Sequence, residues 1–391
     1  MANDDNPQQG PASAAVTEPD VATATATTDP VADVEPAVSP PLSPAPFDEG
    51  VDPITPADTD DFESDEFDPQ DVDSASLAAS TSVTSSIFNH SWENGRRVLH
   101  NHYIISITSY HSYKNARYPI PNDDIEQNRE DMKHALMLEL TDGGTRSGKL
   151  FFAPIGDNPQ KIIDLGTGTG IWAIEVADQY PSAQVEGIDF SPIQPVWVPP
   201  NVKFIVDNIE DDWLNGSDFD LVHLRQMAPF IKNLDKVLRQ SYENIKPGGW
   251  IEMQDLGGMP YCDDGSVPED YSVKRFTDLC QEAMGKFGSD FQLGNRLEEP
   301  LIKAGFVNVS CKRFKVPLGT WAKDKRLRLI GLYFKTVIEP LTGAMAAKPF
   351  PALGMSDVEI QVFLAGVRKD MANTNYHAYF EYLFWTGQKP Y

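Results

Sequence analysis

The sequence predicts an α/β fold built on a doubly wound, largely parallel sheet. From Lys161 onward, short apolar segments alternate with helical ones, and this alternation is typical of parallel strands covered by helices. A glycine-rich turn at 166–170 follows the first apolar segment, and the carboxylate of Asp189 ends the second. A strand, a glycine-rich turn, a helix and a second strand ending in an acid form half of a nucleotide-type cofactor site.

The individual elements follow from local patterns of apolar residues. Short apolar runs rich in β-branched side chains predict strands, and apolar residues three and four apart predict helices. The predicted strands cover 161–165, 184–189, 202–206, 219–223, 250–254, 307–316 and 376–385. The predicted helices cover 122–140, 171–179, 234–244, 273–286, 293–304, 325–338 and 356–371. Asn122 is the predicted N-cap of the first helix, whose first turn is acidic.

About 60 residues separate the last two predicted strands. Their helices, at about 320–372, are expected to form a cap over the carboxyl ends of the strands, where sheets of this type bind ligands. The alternative is that they pad the edge of the sheet.

The first 80 residues differ sharply in composition from the rest. They hold 19 of the 58 acidic residues and no Lys or Arg, and Ala, Thr, Ser, Pro and Asp dominate them. Such a stretch buries too little apolar surface to offset the entropy cost of ordering. We therefore expect a disordered acidic tail at 1–85 and a folded domain at 86–391 with its core at 161–256. The acidic run 58–73 either solubilises the chain or docks on a basic partner.

Composition also excludes several classes of function. No basic groove is evident, so binding of nucleic acid through its phosphates is not expected. The chain has no apolar span of about 20 residues and no signal peptide, so we expect no membrane segment and an intracellular protein, in the cytoplasm, the nucleus or both. Its three cysteines lie far apart and no Cys/His spacing indicates zinc, so no metal is expected.

Three further features distinguish between the cofactors that the glycine turn could bind. Asp164 precedes the glycines, where a carboxylate disfavours a pyrophosphate and attracts an ammonium group. The third strand leads into Asp207, Asn208 and Ile209, which suit the polar edge and the face of an adenine ring. A tight turn at 246–250 leads into the fifth strand.

Together these segments resemble the S-adenosylmethionine-dependent methyltransferases of the Rossmann-like class. The resemblance covers about 161–256, and 301–309 matches the late helix-to-strand step. It implies a seven-stranded sheet that binds S-adenosylmethionine, with Asp189 accepting hydrogen bonds from the ribose diol. The residues assigned to the cofactor are Asp164, Gly166, Thr167, Gly168, Gly170, Asp189, Phe190, Asn208, Ile209 and Arg225.

A narrower resemblance is to the fungal LaeA-like methyltransferases. The segments that carry it are 92–96, 110–114, 118–123, 191–195, 210–213 and 316–319. This resemblance implies a role in controlling secondary metabolism, in some members within the nucleus and with velvet-domain partners. It leaves the methyl acceptor open between a small metabolite and a protein. The chain departs from the family pattern at 98–109, which is either a genuine inserted strand or retained non-coding sequence.

The residues that could act in catalysis each have a second interpretation. Arg225 either faces the sulfonium and the acceptor or binds a carboxylate. His223 is either a general base or a hydrogen-bonded core residue, and Tyr110 lies either in a flap over the cofactor or on a solvated loop. Methyl transfer requires a base only where the acceptor must lose a proton.

Two other functions remain compatible with the sequence. A regulatory module could keep the cofactor site and act through protein association instead of catalysis. A nicotinamide-dependent dehydrogenase would use a similar glycine turn, and the features at Asp164 and Asn208 disfavour it. The sequence therefore predicts a methyltransferase with an unidentified acceptor.

Overall fold

A seven-stranded sheet forms the centre of the structure, a computed structural model that describes residues 52–58, 92–93, 96–97, 122–143, 148–347 and 349–391. All of these residues belong to one compact unit, Val38–Tyr391. The strands are β1 (Lys161–Leu165), β2 (Gln184–Asp189), β3 (Val202–Val206), β4 (Phe219–Arg225), β5 (Ile245–Leu256), β6 (Val307–Pro317) and β7 (Tyr379–Gln388). Their order is β3-β2-β1-β4-β5-β7-β6, and β7 runs antiparallel to both of its neighbours.

The sheet confirms the predicted doubly wound topology. The chain moves outward from β1 to β3 and then returns to the other side of β1 with β4, so the strand order reverses between β1 and β4. Ligands bind at such a reversal because the loops diverge there and leave a crevice outside the strand carboxyl ends. The first three strands have the predicted bounds. In β5, the predicted turn at 246–250 lies within the strand as an irregularity of its pairing with β4.

Helices cover both faces of the sheet. They are α1 (Asp124–Thr141), α2 (Ile171–Gln179), α3 (Leu234–Asn244), α4 (Ser272–Lys286), α5 (Glu298–Lys303), α6 (Lys325–Ala347) and α7 (Asp357–Met371). The predicted helix at 293–304 divides into a 3₁₀ turn, Leu293–Arg296, and α5. The helix predicted to end at residue 338 continues as α6 through Pro340 to Ala347. None of the helices in the described ranges is long and apolar enough to cross a membrane.

The N-cap of α1 is Asp123 and not the predicted Asn122. The Asp123 carboxylate accepts a hydrogen bond from the backbone N–H of Glu126 at 3.0 Å. The side chain of Asn122 instead donates to the Ser191 hydroxyl at 2.8 Å. This contact ties the start of α1 to the loop after β2.

The helices near the carboxyl-terminal end of the chain pack against the β6–β7 end of the sheet. Apolar residues of α4, α6 and α7 form one cluster with Phe380, Tyr382 and Phe384 of β7. The helix α1 lies against both α6 and α2, so these helices share one face of the sheet. A second cluster, on the opposite face, joins α3 and α5 to β1, β4 and β5. No residue of α4, α6 or α7 lines the cavity at the strand ends.

The structure describes a short piece of the predicted tail, residues 52–58. Residues 52–58 lie against 321–323, with Ile54 packed on Trp321 and two backbone hydrogen bonds between the segments. The apolar contact supplies what the composition of the tail as a whole lacks. Farther along, Trp92–Glu93 pairs with Arg96–Arg97. The rest of the predicted tail, the 98–109 insert and Tyr110 lie outside the described residues.

Candidate cofactor and active site

A cavity of about 260 Å³ opens at the carboxyl ends of β1 to β4. Its walls come from the glycine turn after β1, the loops after β2 and β3, the segment after β4, and the inner face of α1. The cavity therefore lies at the reversal of strand order, where the topology predicts a ligand.

The glycine turn is shaped by its contact with the end of β2. The backbone N–H groups of Gly166 and Thr167 both donate to the Ile188 carbonyl at 2.8 Å. Gly168 has a φ of 58°, and a Cβ added there would meet no atom within 4 Å. Because Gly168 lines the cavity, that open space belongs to the ligand site. A side chain at Gly168 would occupy it and would also strain the backbone.

Asp189 is fixed in place by two backbone donors. Its Oδ2 accepts from the N–H of Gly168 at 2.9 Å, and its Oδ1 accepts from the N–H of Ser191 at 3.0 Å. Burial raises the pKa of Asp189 to about 6, and the negative charge of Asp164 adds to this effect. The group is therefore mostly ionised at neutral pH.

The loop after β3 provides a wall of mixed polarity. The Asn208 amide donates to Asp211 Oδ1 at 2.9 Å and its oxygen accepts from the N–H of Glu210 at 3.1 Å. Asp207 Oδ1 accepts from the N–H of Asn208 at 2.8 Å. Asn208 therefore shapes the loop, and Ile209 adds an apolar surface to the same wall.

Arg225, at the end of β4, lines the cavity, and its guanidinium is held by a hydrogen bond to His134. Its Nη1 donates to Nδ1 of His134 at 2.9 Å, and Nε2 of His134 lies 3.0 Å from Glu175 Oε2. Burial lowers the pKa of His134, and the positive charge of Arg225 lowers it further. The imidazole is therefore neutral and accepts the hydrogen bond from Arg225.

A cluster of charges on α1 faces the cavity. Arg129 donates to Glu126 at 2.6 Å and also contacts Glu130, which pairs with Lys133. Burial alone would raise the pKa of Glu130, but the charges of Lys133 and Arg129 lower it to about 2. Burial lowers the pKa of Lys133 to about 8. Glu130 and Lys133 thus present an anion and a titratable cation side by side on the cavity wall.

Asp164 and His223 lie in the sheet beneath the cavity. They occupy paired positions on β1 and β4, and Asp164 Oδ1 lies 2.7 Å from His223 Nδ1. Asp164 is 2% exposed and His223 is fully buried, stacked on Trp172 with ring centroids 3.6 Å apart. Neither side chain lines the cavity. The His223 imidazole thus lies within the core of the sheet, paired with Asp164.

Gln226 lines the cavity and was not singled out in the sequence. Its φ is 58°, a left-handed conformation that costs energy in a residue other than glycine. The Gln226 amide nitrogen is buried and has no hydrogen-bond partner among the described residues. The Gln226 N–H donates to the Gln254 carbonyl at 2.7 Å. Since this contact joins residues distant in sequence, no local sequence signal marks the strain.

Two further buried polar groups lie at the ends of β5 and β7. Asp255 is fully buried, and burial raises its pKa to about 8, so it is mostly protonated at neutral pH. Asp255 Oδ2 and the Tyr382 hydroxyl have no partner in the described part of the chain. Unpartnered buried polar groups are costly, so these two atoms mark a place where the described contacts leave the polar core unsatisfied.

The structure brings together most of the residues predicted to bind the cofactor. Gly166, Gly168, Asp189, Phe190, Asn208, Ile209 and Arg225 line one cavity. Asp164, Thr167, Gly170 and His223 do not line it. Gly170 is the N-cap of α2, in the left-handed region, and a Cβ there would meet the Phe204 ring at 2.3 Å. In the ranges described, no group of three or more acidic, His or Cys side chains is arranged for a metal.

The fold and the sequence of this region define a class of protein. Residues 133–310 match the family model described as "Methyltransferase domain". This range contains the glycine turn, Asp189 and every strand from β1 to β5. The protein is an S-adenosylmethionine-dependent methyltransferase.

Comparison with individual proteins narrows the class. The methyltransferase pytC of Aspergillus terreus is 36% identical over 329 residues, covering 82% of this chain and 95% of that protein. The secondary metabolism regulator of Cochliobolus heterostrophus is 31% identical, covering 72% and 92%. The protein-methionine methyltransferase laeA of Emericella nidulans is 30% identical, covering 72% and 75%. The chain belongs to the LaeA-like family of methyltransferases.

Proposed function

We propose that the cavity at the ends of β1 to β4 binds S-adenosylmethionine and that the chain transfers its methyl group to a small metabolite or a protein. The observation that carries the assignment is Asp189, whose carboxylate is held by the Gly168 and Ser191 N–H groups at the cavity edge. In sheets of this type, an acidic side chain that follows the second strand accepts hydrogen bonds from the ribose of the cofactor.

The charged groups on α1 and β4 suit the amino-acid end of the cofactor. That end carries an ammonium and a carboxylate group, so it requires both signs of charge on the wall. Glu130 supplies the anion, and Lys133 and Arg225 supply cations. We assign to Glu130 the role that the sequence suggested for Asp164, since the Asp164 carboxylate is buried against His223.

The residues around the cavity would contribute to catalysis mainly by positioning the cofactor and the methyl acceptor. Bound S-adenosylmethionine supplies a methyl group on a sulfonium, which is an excellent leaving group. The protein contributes by orienting the two reactants and excluding water. Gln226, with its fixed backbone and unpartnered amide, is placed to orient an acceptor by donating a hydrogen bond. Thioether sulfur has no proton to lose, so transfer to methionine would require no base, whereas a hydroxyl acceptor would require one.

A regulatory function through protein association is the second candidate. It is favoured by the name of one relative, the secondary metabolism regulator of Cochliobolus heterostrophus. Under this proposal, velvet-domain proteins are the expected partners, and the cofactor acts as a ligand that stabilises the domain.

Two measurements test these proposals. Calorimetry should show binding of S-adenosylhomocysteine and no heat with NAD, and NAD binding instead would contradict the assignment. Incubation of a cell extract with methyl-labelled S-adenosylmethionine and the protein should place label in either the protein or the small-molecule fraction. An Asp189→Ala variant should abolish the labelling. Loss of cofactor binding and labelling with retained regulatory output would instead favour the association function.

A further inference from the structure

A short piece of the amino-terminal region is bound to the domain as an extended strand. The Thr55 carbonyl accepts from the N–H of Lys323 at 2.9 Å, and the N–H of Ala57 donates to the Trp321 carbonyl at 2.9 Å. Pro56 and Ala322 form an antiparallel bridge between these contacts. Residues 52–58, which we call the docked segment, thus add one strand-like step beside the chain that follows β6.

The docked segment is anchored by one apolar side chain. Ile54 packs on a small cluster that includes Trp321, Ala322 and Tyr379, each at most 2% exposed. Proline at positions 53 and 56 restricts the backbone to extended conformations, which lowers the entropy cost of docking. Lys323 also forms an exposed ion pair with Asp58 at 3.9 Å. A new charge beside Ile54 would therefore act directly on the docked contact.

Thr55 lies where such a charge would act. Its side chain is exposed, and it lines a cavity of about 310 Å³ together with Asp263, Asp264 and His377. Asp264 Oδ2 lies 2.5 Å from His377 Nδ1, and Asp263 accepts from the Tyr379 hydroxyl at 2.7 Å. The single ionisable base in this cavity is therefore already paired with a carboxylate.

The Asp264 carboxylate stays charged at neutral pH. Partial burial would raise the pKa of Asp264, but hydrogen bonds from His377 and Ser266 hold it well below its usual range. Asp263 is also paired with Lys315 at 2.8 Å. His377 and Lys315 are therefore each paired with a carboxylate already present beside Thr55.

We infer that Thr55 is a phosphorylation site and that its phosphate releases the docked segment from Trp321. Thr55 is followed directly by Pro56, which is the sequence that proline-directed serine/threonine kinases accept. The Thr55 Oγ attacks the γ-phosphorus of ATP, the bond to the bridging oxygen of ADP breaks, and the hydroxyl proton passes to a base of the kinase. The product carries about −1.5 to −2 charges beside two carboxylates.

The release follows from where the modification can occur. A kinase binds its substrate as an extended, separate peptide, so it modifies the undocked segment. Redocking would then bring the phosphate into the cavity with Asp263 and Asp264, where like charges repel. Phosphorylation therefore shifts the equilibrium toward the undocked segment and exposes Trp321 and the backbone groups of 321–323.

The experiment uses the full-length protein with ATP and a proline-directed kinase. Mass spectrometry should locate phosphate on Thr55, and the Ser39-Pro40 and Ser43-Pro44 pairs of the same tail show whether the kinase is active. Hydrogen exchange should then be at least about tenfold faster at the amides of Ala57 and Lys323, the donors that docking protects. An Ile54→Ala variant gives the exchange rates of the released state.

Two variants separate the position of the charge from its presence. Thr55→Glu should accelerate exchange at Lys323, whereas Thr59→Glu adds the same charge four residues along the chain and should not. Equal protection in the two variants would overturn the inference. So would a phosphorylated Thr55 that keeps the protection of the unmodified protein, or an active kinase that leaves Thr55 unmodified.

Discussion

Replacement of Asp189 with alanine tests the cofactor assignment most directly. The change removes the carboxylate that accepts from Gly168 and Ser191 and that we assign to the ribose hydroxyls. Hydrogen bonds to a charged acceptor are worth about 1.5–3 kcal/mol each. Asp189 is only half-buried, so the lower value applies, and two lost contacts amount to about 3 kcal/mol. We expect the Kd for S-adenosylhomocysteine to rise about 10²-fold.

The assay must separate loss of the ribose contact from a general distortion of the glycine turn. Calorimetry with S-adenosylhomocysteine and with its 2′,3′-dideoxy analogue does so. The unmodified protein should prefer the hydroxylated ligand by about 10²-fold, and Asp189→Ala should bind the two equally. Asp178→Ala, the same change on the exposed side of α2, should keep the preference. A variant that lacks Asp189 and still prefers the hydroxylated ligand would refute the role given to this carboxylate.

Three other predictions follow from the same geometry. Gly168→Ala places a methyl group in the cavity and should weaken cofactor binding at least about tenfold by calorimetry. The control is Gly156→Ala, at a glycine with a similar positive φ in open space, which should change only stability. Equal cofactor affinity in the two variants would contradict the position of Gly168 in the cofactor site. Cofactor affinity, titrated from pH 5 to 9, should be highest at pH 6–8. Below the Asp189 pKa of about 6, protonation removes an acceptor, and above the Lys133 pKa of about 8, deprotonation removes a cation. An Asp189→Asn variant whose affinity still falls below pH 6 as in the unmodified protein would be inconsistent with this. His223→Ala should lower the free energy of unfolding in urea by about 3–5 kcal/mol, since it leaves the buried Asp164 side chain without its partner. Cofactor affinity should change less than about threefold, and a larger change in affinity would place the imidazole in the site.

Elements with a strong local pattern were predicted accurately. The strands β1 to β3 and the helices α2 and α3 have the predicted bounds, because each combines a clear apolar period with a turn or capping residue at its end. Prediction was less accurate where a helix signal is ambiguous. The predicted end of α6 at residue 338 was wrong, because the helix continues through Pro340 to Ala347. Asp123 occupies the capping position expected for Asn122.

The candidate site was predictable where it depends on the βαβ unit alone. Gly168 and Asp189 approach each other because one lies in the turn after β1 and the other ends β2, and paired parallel strands bring those ends together. Glu130 and Lys133 could not be placed in this way. They lie on α1, whose charged inner face resembles a solvated helix in sequence and reaches the cavity only because α1 packs against α2.

The sequence by itself therefore determined the sheet, the glycine turn and the acid that follows β2, since periodicity and turn geometry are local properties. Only the tertiary structure decided which charged groups face the cavity. Strand register pairs Asp164 with His223 in the sheet, and helix packing brings Glu130 to the wall in its place. The docking of residues 52–58 on Trp321 likewise depends on contacts between positions more than 260 residues apart, which no local pattern encodes.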